Sequence, residues 1–270
     1  MEWKNIYRGM MMGATDVIPG ISGGTIALLL GIYERLIEAI NGFFSRRWKE
    51  QLGFLVPLGI GMVTAIFLFA KVIEWLFVNY PTPTIYFFLG LILGVLPYLF
   101  YKADAKNSFR IKHFIFMGVG IVLISALGLL SVGEGEIITN LTPSMYLFLF
   151  VSGIIGSSAM IIPGISGSFM LLVLGVYPTV ISAVSNLHFD IIIVTGLGIA
   201  IGFIVMSRIV GYFLRNHYTL TFATTIGLVM GSVFVIFPGL PESTSQFFAS
   251  IITFLSGLLV AYILGRVEYK

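Results

Sequence analysis

The chain has 270 residues, of which 58% are hydrophobic and 10% are charged, and its formal net charge is +3. A soluble domain carries about 25% charged residues because it must cover its surface with polar groups. The composition therefore excludes a soluble protein and predicts an integral membrane protein. A net charge this small does not indicate a nucleic-acid-binding surface. The absence of cysteine excludes disulfides and thiolate metal sites. No cofactor is predicted.

The first predicted element is a helical hairpin built on Ile-Pro-Gly-Ile-Ser-Gly at residues 18–23. Pro19 ends the incoming half-helix, because proline has no amide hydrogen and its ring clashes with the preceding turn. Gly20 permits the chain to reverse, and Ser22 can cap the outgoing half-helix. Irregular backbone at membrane depth is tolerated only where it is buried in protein or lines a wet cavity. The tip is therefore predicted to be re-entrant and to line a binding cavity.

The residues that open the outgoing half-helix are predicted to bind an anion. Free amides and the positive dipole end of a helix can bind phosphate without a basic side chain. Gly23 and Gly24 also allow another group to approach the backbone closely, and Thr25 follows them directly. The predicted substrate site therefore comprises these three residues together with the turn. The alternative is that the glycines serve only close helix packing.

Two acidic residues flank the hairpin. Asp16 precedes Pro19 by three residues, and an acid near the tip needs a proton, a cation or a basic partner such as Arg208. Coupling to H+ or Na+ and a structural ion pair therefore both remain open. Glu34 lies nearer the membrane surface and is predicted to be interfacial, and Tyr33 is predicted to pack with its hydroxyl near the cavity.

Six long apolar stretches are predicted to be transmembrane helices, since a helix of about 17–25 residues crosses a bilayer. They lie at about residues 52–78, 83–101, 113–130, 190–214, 219–237 and 247–265.

A second copy of the motif lies between the third and fourth stretches. Residues 9–41 align without gaps on residues 153–185, and each copy of Ile-Pro-Gly-Ile-Ser-Gly is followed by Gly-x-Tyr. The match resumes downstream at an offset of 137, where residues 70–75 and 90–94 read against residues 207–212 and 227–231.

The repeat predicts a single membrane domain, residues 1–270, made of two halves, residues 1–140 and 141–270. Each half would contain one hairpin and three transmembrane helices. The second tip adds Ser166, Gly167 and Ser168 to the predicted substrate site.

The basic residues decide how the halves are oriented. If each motif is a hairpin that returns to its own side, the loops on one side of the membrane contain no Lys or Arg. The second half is then inverted, and both termini are cytoplasmic, in a bacterial plasma membrane. Inverted repeats with interrupted helices are typical of secondary transporters. The basic residues on the cytoplasmic side would be Lys4, Arg8, Arg46, Arg47, Lys49, Lys102, Lys106, Arg110, Lys112, Arg215, Arg266 and Lys270.

Lys71 and Arg208 occupy equivalent positions inside the spans, near opposite faces of the membrane. A basic residue at that depth is costly unless it is paired or functional. Each is therefore predicted to contact an anionic substrate in one access state. The alternative is that both side chains extend to the nearer interface.

An enzyme is not predicted. Gly-Ile-Ser-Gly-Gly at residues 20–24 matches the Gly-x-Ser-x-Gly motif of hydrolases, but a serine nucleophile needs a base within reach. His113, His188 and His217 fall at span ends or in loops.

Residues 13–25, Gly-Ala-Thr-Asp-Val-Ile-Pro-Gly-Ile-Ser-Gly-Gly-Thr, with Gly-Ile-Tyr-Glu at 31–34, resemble the signature of the bacterial polyprenyl-phosphate transporters, formerly a domain of unknown function. The resemblance covers essentially the whole chain. It implies transport of undecaprenyl phosphate from the outer to the cytoplasmic leaflet, for reuse of this lipid carrier in cell-envelope synthesis. The signature positions are Asp16, Pro19, Gly20, Ser22, Gly23, Gly24 and Glu34.

The resemblance implies undecaprenyl phosphate as the lipid substrate, in contact with membrane lipids. Coupling to H+ or Na+ through Asp16 or Glu34 and assembly into a homo-oligomer are both compatible with it. Ser168 replaces Gly24 in the second half, and Met160 replaces Asp16, so the two hairpins are expected to differ in function. The alternatives are an inverted-repeat carrier of another small anion and a membrane scaffold that transports nothing.

Overall fold

The computed structural model describes residues 1–16, 22–129, 138 and 142–268, and within these ranges it contains thirteen helices and no β-strand. In chain order the helices are α1 (Asn5–Asp16), α2 (Gly23–Leu29), α3 (Tyr33–Phe43), α4 (Trp48–Asn79), α5 (Pro81–Lys102), α6 (Ala105–Ser108), α7 (Ile111–Leu129), α8 (Pro143–Ile161), α9 (Gly167–Val173), α10 (Tyr177–Ser185), α11 (Phe189–Asn216), α12 (Tyr218–Ile236) and α13 (Thr244–Glu268).

Seven of the described helices are long and apolar enough to cross a membrane: α4, α5, α7, α8, α11, α12 and α13. Six of them coincide with the six predicted spans to within a few residues at each end, which confirms those predictions. The chain is therefore a multi-pass helical membrane protein.

The seventh long helix, α8, is the incoming arm of the second motif. It has 19 residues, whereas α1, the corresponding arm of the first motif, has 12. The helix begins at Pro143, in the first turn, where the missing amide of proline costs no hydrogen bond. It ends before Pro163, because a residue that precedes proline disfavours helical angles. The incoming arm of the second motif thus has the length of a full span, although the hairpin prediction treated it as one arm of a re-entrant segment.

Each short helix that follows a motif turns into the next helix at a glycine. Gly31 and Gly175, which are equivalent in the repeat, have φ of 64° and 72°. This left-handed region favours glycine, because a side chain there clashes with the backbone. The bend between α9 and α10 measures 116°.

The four most extensive helix packings fall into two pairs that the repeat relates. α1 packs along α4 as α8 packs along α11, and α5 packs along α13 as α12 packs along α7. In the second pair the helices come from different halves, because α13 belongs to the second half and α7 to the first. The two halves are therefore interlocked.

Glycines make these four packings close. A Cβ added at Gly9 would lie 2.0 Å from the carbonyl oxygen of Leu58, and one added at Gly61 would lie 2.0 Å from that of Ile6. Every one of the four interfaces carries such a pair, with one glycine from each helix, as expected where small residues let membrane helices approach. The other pairs are Gly153 with Gly198, Gly90 with Gly257, and Gly120 with Gly227.

The two halves differ in how tightly their hairpins are held. All seven residues of α2 are buried, whereas α9 contains no buried residue. Helix α3 packs against α11, but α10 makes no comparable packing against α4. The equivalent residues Ile37 and Ile181 show the difference directly, because their exposed fractions are 2% and 47%.

Candidate functional site

The two serines of the motifs occupy the same position in their helices. Ser22 and Ser166 are the residues before α2 and α9, and their φ and ψ angles are −106°, 128° and −92°, 131°. The Oγ of Ser22 accepts a hydrogen bond from the Gly24 amide at 3.2 Å, so this serine caps α2 as predicted. The Oγ of Ser166 instead lies 2.8 Å from the Oγ of Ser168.

The predicted reversal at Pro19 and Gly20 lies outside the described residues. Its equivalent in the second tip is described, and there Gly164 has φ of 89°. A Cβ at Gly164 would also lie 2.8 Å from the carbonyl group of Leu228 on α12. Both the backbone angle and the close approach require glycine at this turn.

Asp16 ends α1 and turns its carboxylate onto the start of α2. Its Oδ1 accepts a hydrogen bond from the Gly23 amide at 2.7 Å, while its Oδ2 is buried without a hydrogen-bond partner among the described residues. A Cβ added at Gly23 would lie 2.6 Å from Oδ2. The group that approaches Gly23 closely is therefore this carboxylate.

Two cavities lie beside the tips, in positions that the repeat relates. The first, here called the apolar cavity, measures about 310 Å³ and lies between α1, α2, α3 and α4. The second, the serine cavity, measures about 220 Å³ and lies between α8, α9 and α11, with Asp16 and Ser22 from the first tip. Residues that line the apolar cavity include Leu36, Ile40, Phe43, Leu55, Gly59 and Met62. Residues that line the serine cavity include Asp16, Ser22, Ser157, Ser166, Gly167 and Ser168.

The two cavities share part of their walls. Asp16, Met160 and Phe203 line both, and Asp16 and Met160 are equivalent in the repeat. The described residues that line the cavities include no Lys or Arg. The polar groups that face the serine cavity are hydroxyls and the carboxylate of Asp16.

Lys71 and Arg208 do not take part in this arrangement. Both are exposed, neither lines a cavity beside the tips, and Arg208 forms no ion pair with Asp16. The reason is helical geometry, since each lies nine residues, or two and a half turns, beyond a cavity-lining residue of its helix, Met62 or Ile199. They therefore point to the opposite side of α4 and α11.

Glu34, a predicted coupling residue, is engaged elsewhere. Its Oε1 lies 2.6 Å from the Nζ of Lys102 and accepts a hydrogen bond from the Tyr218 hydroxyl at 3.2 Å. It lines neither cavity beside the tips. The pair connects the start of α3 to the end of α5 and the start of α12, so its role in this structure is to hold helices together.

Two hydrogen bonds that the sequence did not predict join the first hairpin to the second tip. The Oγ1 of Thr25 accepts from the Gly164 amide at 3.0 Å, and the Tyr33 hydroxyl donates to the Ile161 carbonyl at 2.9 Å. Thr25, which was predicted to bind substrate, lines neither cavity beside the tips. The first bond has no equivalent in the second half, because Phe169 stands where Thr25 stands in the first.

A further pair of hydrogen bonds closes α3 against α11. The Nδ2 of Asn41 donates to the carbonyl oxygen of Ser207 at 2.8 Å, and the Ser207 hydroxyl donates to the Oδ1 of Asn41 at 3.0 Å. The equivalent positions in the other half are Ser185 and Ala70. The repeat alignment includes Ser207, at the position that corresponds to Ala70. Nothing in the sequence around Asn41 distinguishes this residue from one at the surface.

Comparisons with known proteins identify close relatives. A polyprenyl-phosphate transporter of Staphylococcus aureus is 44% identical over 275 aligned positions, which cover 98% of this chain and 97% of that protein. A polyprenyl-phosphate transporter of Vibrio cholerae is 36% identical over 255 positions, which cover 88% of this chain and 79% of that protein. An undecaprenyl-diphosphatase of Methanococcus vannielii is 25% identical over 185 positions, which cover 64% of this chain and 68% of that protein. No solved structure matches the chain.

The first two relatives are named as transporters, which supports the prediction that this chain is not an enzyme. Residues 12–251 match the model of the VCA0040-like family, described as undecaprenyl phosphate translocase-like. This match spans both motifs and reaches into the last transmembrane helix. The resemblance inferred from the first motif is thereby confirmed, and the chain belongs to the VCA0040-like family of undecaprenyl phosphate translocase-like proteins.

Proposed function

We propose that this chain transports undecaprenyl phosphate from the outer to the cytoplasmic leaflet of a bacterial plasma membrane, so that the lipid carrier is reused in cell-envelope synthesis. The observation that carries the proposal is the pair of adjoining cavities at the tips. Four serines are among the described residues that line one cavity, and none lines the other, and the two cavities meet at Asp16. The named function of the two transporter relatives supports the same substrate class.

The serine cavity is the proposed phosphate site. Hydroxyls of Ser22, Ser166 and Ser168 face it, and a hydroxyl can donate to a phosphate oxygen. Gly167 on the second tip also lines this cavity, and its backbone supplies a further contact in this proposal. Pro19 and Gly20, which were predicted to bind substrate, lie outside the described residues, and Gly24 lines the apolar cavity instead. A small free anion would have no use for the apolar cavity, so the arrangement favours a lipid phosphate over a soluble anion.

Asp16 is the proposed coupling residue. A phosphate in the serine cavity would be close to this buried carboxylate, and the cavity-lining residues that the structure describes offer no cation to compensate both charges. Two uncompensated anions are very unfavourable away from water. Asp16 must therefore carry a proton or a Na+ ion when phosphate is bound, which links the movement of the ion to that of the lipid.

Alternating access follows from the asymmetry of the two hairpins. With two inverted halves, each hairpin re-entrant and both termini cytoplasmic, the packing of α3 on α11 closes the cytoplasmic side. The equivalent gap between α10 and α4 leaves the outer side open. Exchanging the two arrangements, so that α10 packs on α4 and α3 leaves α11, gives the second access state.

Lys71 and Arg208 have a different role in this proposal from the one their sequence positions suggested. Both are exposed in this structure, and they lie toward opposite faces of the membrane. They attract the lipid phosphate at the two interfaces, where a basic side chain can extend into the headgroup region.

The test is to measure undecaprenyl phosphate exposed at the outer surface of cells that lack other translocases of this lipid. Deleting the gene should raise the exposed lipid, and the wild-type protein should restore it. An Arg208→Gln variant at matched expression should restore it only partly. Unchanged surface lipid after deletion would refute the proposal and leave transport of another small anion as the alternative.

A further inference from the structure

The apolar cavity adjoins the proposed phosphate site but is much shorter than a long prenyl chain. We propose that it holds only about the first two isoprene units next to the phosphate. The protein would then accept prenyl phosphates of two or more units regardless of their total length. This inference rests on the proposed function, because it takes the serine cavity to be the phosphate site.

The position of the cavity identifies its occupant as the start of the prenyl chain. Asp16, Met160 and Phe203 belong to the walls of both cavities, so the cavities adjoin there. In this proposal a prenyl chain attached to a phosphate in the serine cavity extends past these residues into the apolar one. Beyond them the walls are aliphatic and aromatic side chains of α3 and α4, such as Leu36, Ile40 and Leu55. Such walls suit a hydrocarbon chain.

The volume sets how much of the chain is enclosed. The cavity measures about 310 Å³. With about 30 Å³ for each non-hydrogen atom, the share of a water molecule in the liquid, it holds roughly ten carbon atoms. Ten carbons correspond to two isoprene units.

Isoprene units beyond the second contribute nothing to recognition in this arrangement. Moving a hydrocarbon from lipid into an apolar cavity brings no hydrophobic gain, because lipid tails are equally apolar, and only close packing against the walls can discriminate. Units that remain in the bilayer have no such contacts. Binding should therefore improve up to about two units and then stay constant.

Two equivalent glycines supply a variant and its matched control. Gly59 on α4 lines the apolar cavity, and no atom lies within 4 Å of a Cβ added there. Gly196 is its equivalent on α11, and it has the same free space, but it does not line either cavity at the tips. Gly59→Leu should fill the apolar cavity without displacing the backbone. Gly196→Leu adds the same side chain to a helix surface.

The experiment measures binding of geranyl, farnesyl and undecaprenyl phosphate to the full chain in nanodiscs, at equal mole fractions in the lipid. These probes carry two, three and eleven isoprene units. We expect the three affinities to agree within about threefold. Gly59→Leu should weaken all three at least tenfold, and Gly196→Leu should change them less than twofold.

Binding of undecaprenyl phosphate at least tenfold tighter than that of farnesyl phosphate would overturn the inference and leave the proposed function intact. The inference would also fail, again without touching the proposed function, if the Gly59→Leu variant bound all three lipids as the wild type does. If the wild type bound none of the three, the proposed function itself would fail, and the inference with it.

Discussion

At the residue scale, the two hairpin tips differ most where Asp16 in the first half corresponds to Met160 in the second. Both side chains belong to the common wall of the two cavities. Only the aspartate can gain or lose a proton, or bind a cation, as the lipid phosphate passes. Asp16 is therefore the one titratable group among the described residues that line both cavities.

The Asp16→Asn variant distinguishes a role of Asp16 in ion coupling from a role in folding, because asparagine has nearly the same shape but no charge. In Asp16→Asn the Oδ1 can still accept the hydrogen bond from the Gly23 amide, so we expect the thermal stability to remain close to that of the wild type. We expect lipid transport into proteoliposomes to fall at least tenfold and to lose its response to an imposed pH or Na+ gradient. The reason is that a side-chain amide neither takes up nor releases a proton near neutral pH, and it has no negative charge with which to bind Na+.

Asp190→Asn provides the control, because Asp190 is an exposed carboxylate on α11 that accepts a hydrogen bond from Tyr146 and lines neither cavity beside the tips. This variant should transport normally. A gradient response in Asp16→Asn equal to that of the wild type would remove Asp16 from the coupling mechanism.

At the element scale, glycine pairs determine how closely the long helices pack. Gly90 on α5 and Gly257 on α13 face each other, and so do their repeat equivalents Gly227 on α12 and Gly120 on α7. These helices join different halves of the chain, so their close approach also holds the two halves together. In lipid the hydrophobic effect does not favour helix association, so close van der Waals packing of this kind stabilises the contact between membrane helices.

The alanine substitution at Gly90 tests this role. Its Cβ would lie 2.1 Å from the carbonyl oxygen of Phe254, so α5 and α13 must move apart. We expect a loss of stability of about 1–3 kcal/mol, typical of overpacking, seen as a lower midpoint of thermal unfolding in detergent. Gly118→Ala on α7 is the matched control, because no atom lies within 4 Å of its added Cβ. Equal stability of the two variants would contradict a structural role for the close approach.

The sequence predicts the elements better than it predicts their facing sides. Apolar length marks six spans, and Pro163 and Gly164 mark the turn of the second motif, because both signals are local. Which side of α4 or α11 faces a cavity depends on tertiary packing, so the symmetric positions of Lys71 and Arg208 could not show that both side chains lie away from the cavities at the tips. The sequence shows that Gly120 and Gly257 are equivalent, because they are separated by the offset of 137. It does not show which helices pack together, so it could not predict that these glycines lie at helix interfaces.

At the scale of the whole molecule, the proposed alternating access requires two states, and the structure supplies the asymmetry of one of them. Equivalent residues have unequal surroundings, as in the buried Ile37 and the exposed Ile181. In the proposed mechanism the two halves exchange these surroundings, so that each half takes the arrangement that the other has here. The hydrogen bonds between Asn41 and Ser207 stabilise the arrangement seen here.

Two pairs of introduced cysteines can trap the two states, since the chain has no cysteine of its own. Asn41→Cys with Ser207→Cys replaces residues that are hydrogen-bonded in this structure, so we expect rapid disulfide formation in the resting protein. Ser185→Cys with Ala70→Cys introduces thiols at the repeat-equivalent positions, on helices that are not packed together here. This pair should form a disulfide only when α10 closes on α4. Adding undecaprenyl phosphate together with a coupling gradient should accelerate that closure.

Either disulfide should stop transport in proteoliposomes, and reduction should restore it, because each bond holds the molecule in one of the two states. Single-cysteine variants serve as controls for effects of the substitutions themselves. A second pair that never reacts during turnover, while the first reacts and its reduction restores transport, would mean that α10 does not close on α4. The lipid would then cross by a route that needs no exchange between the halves.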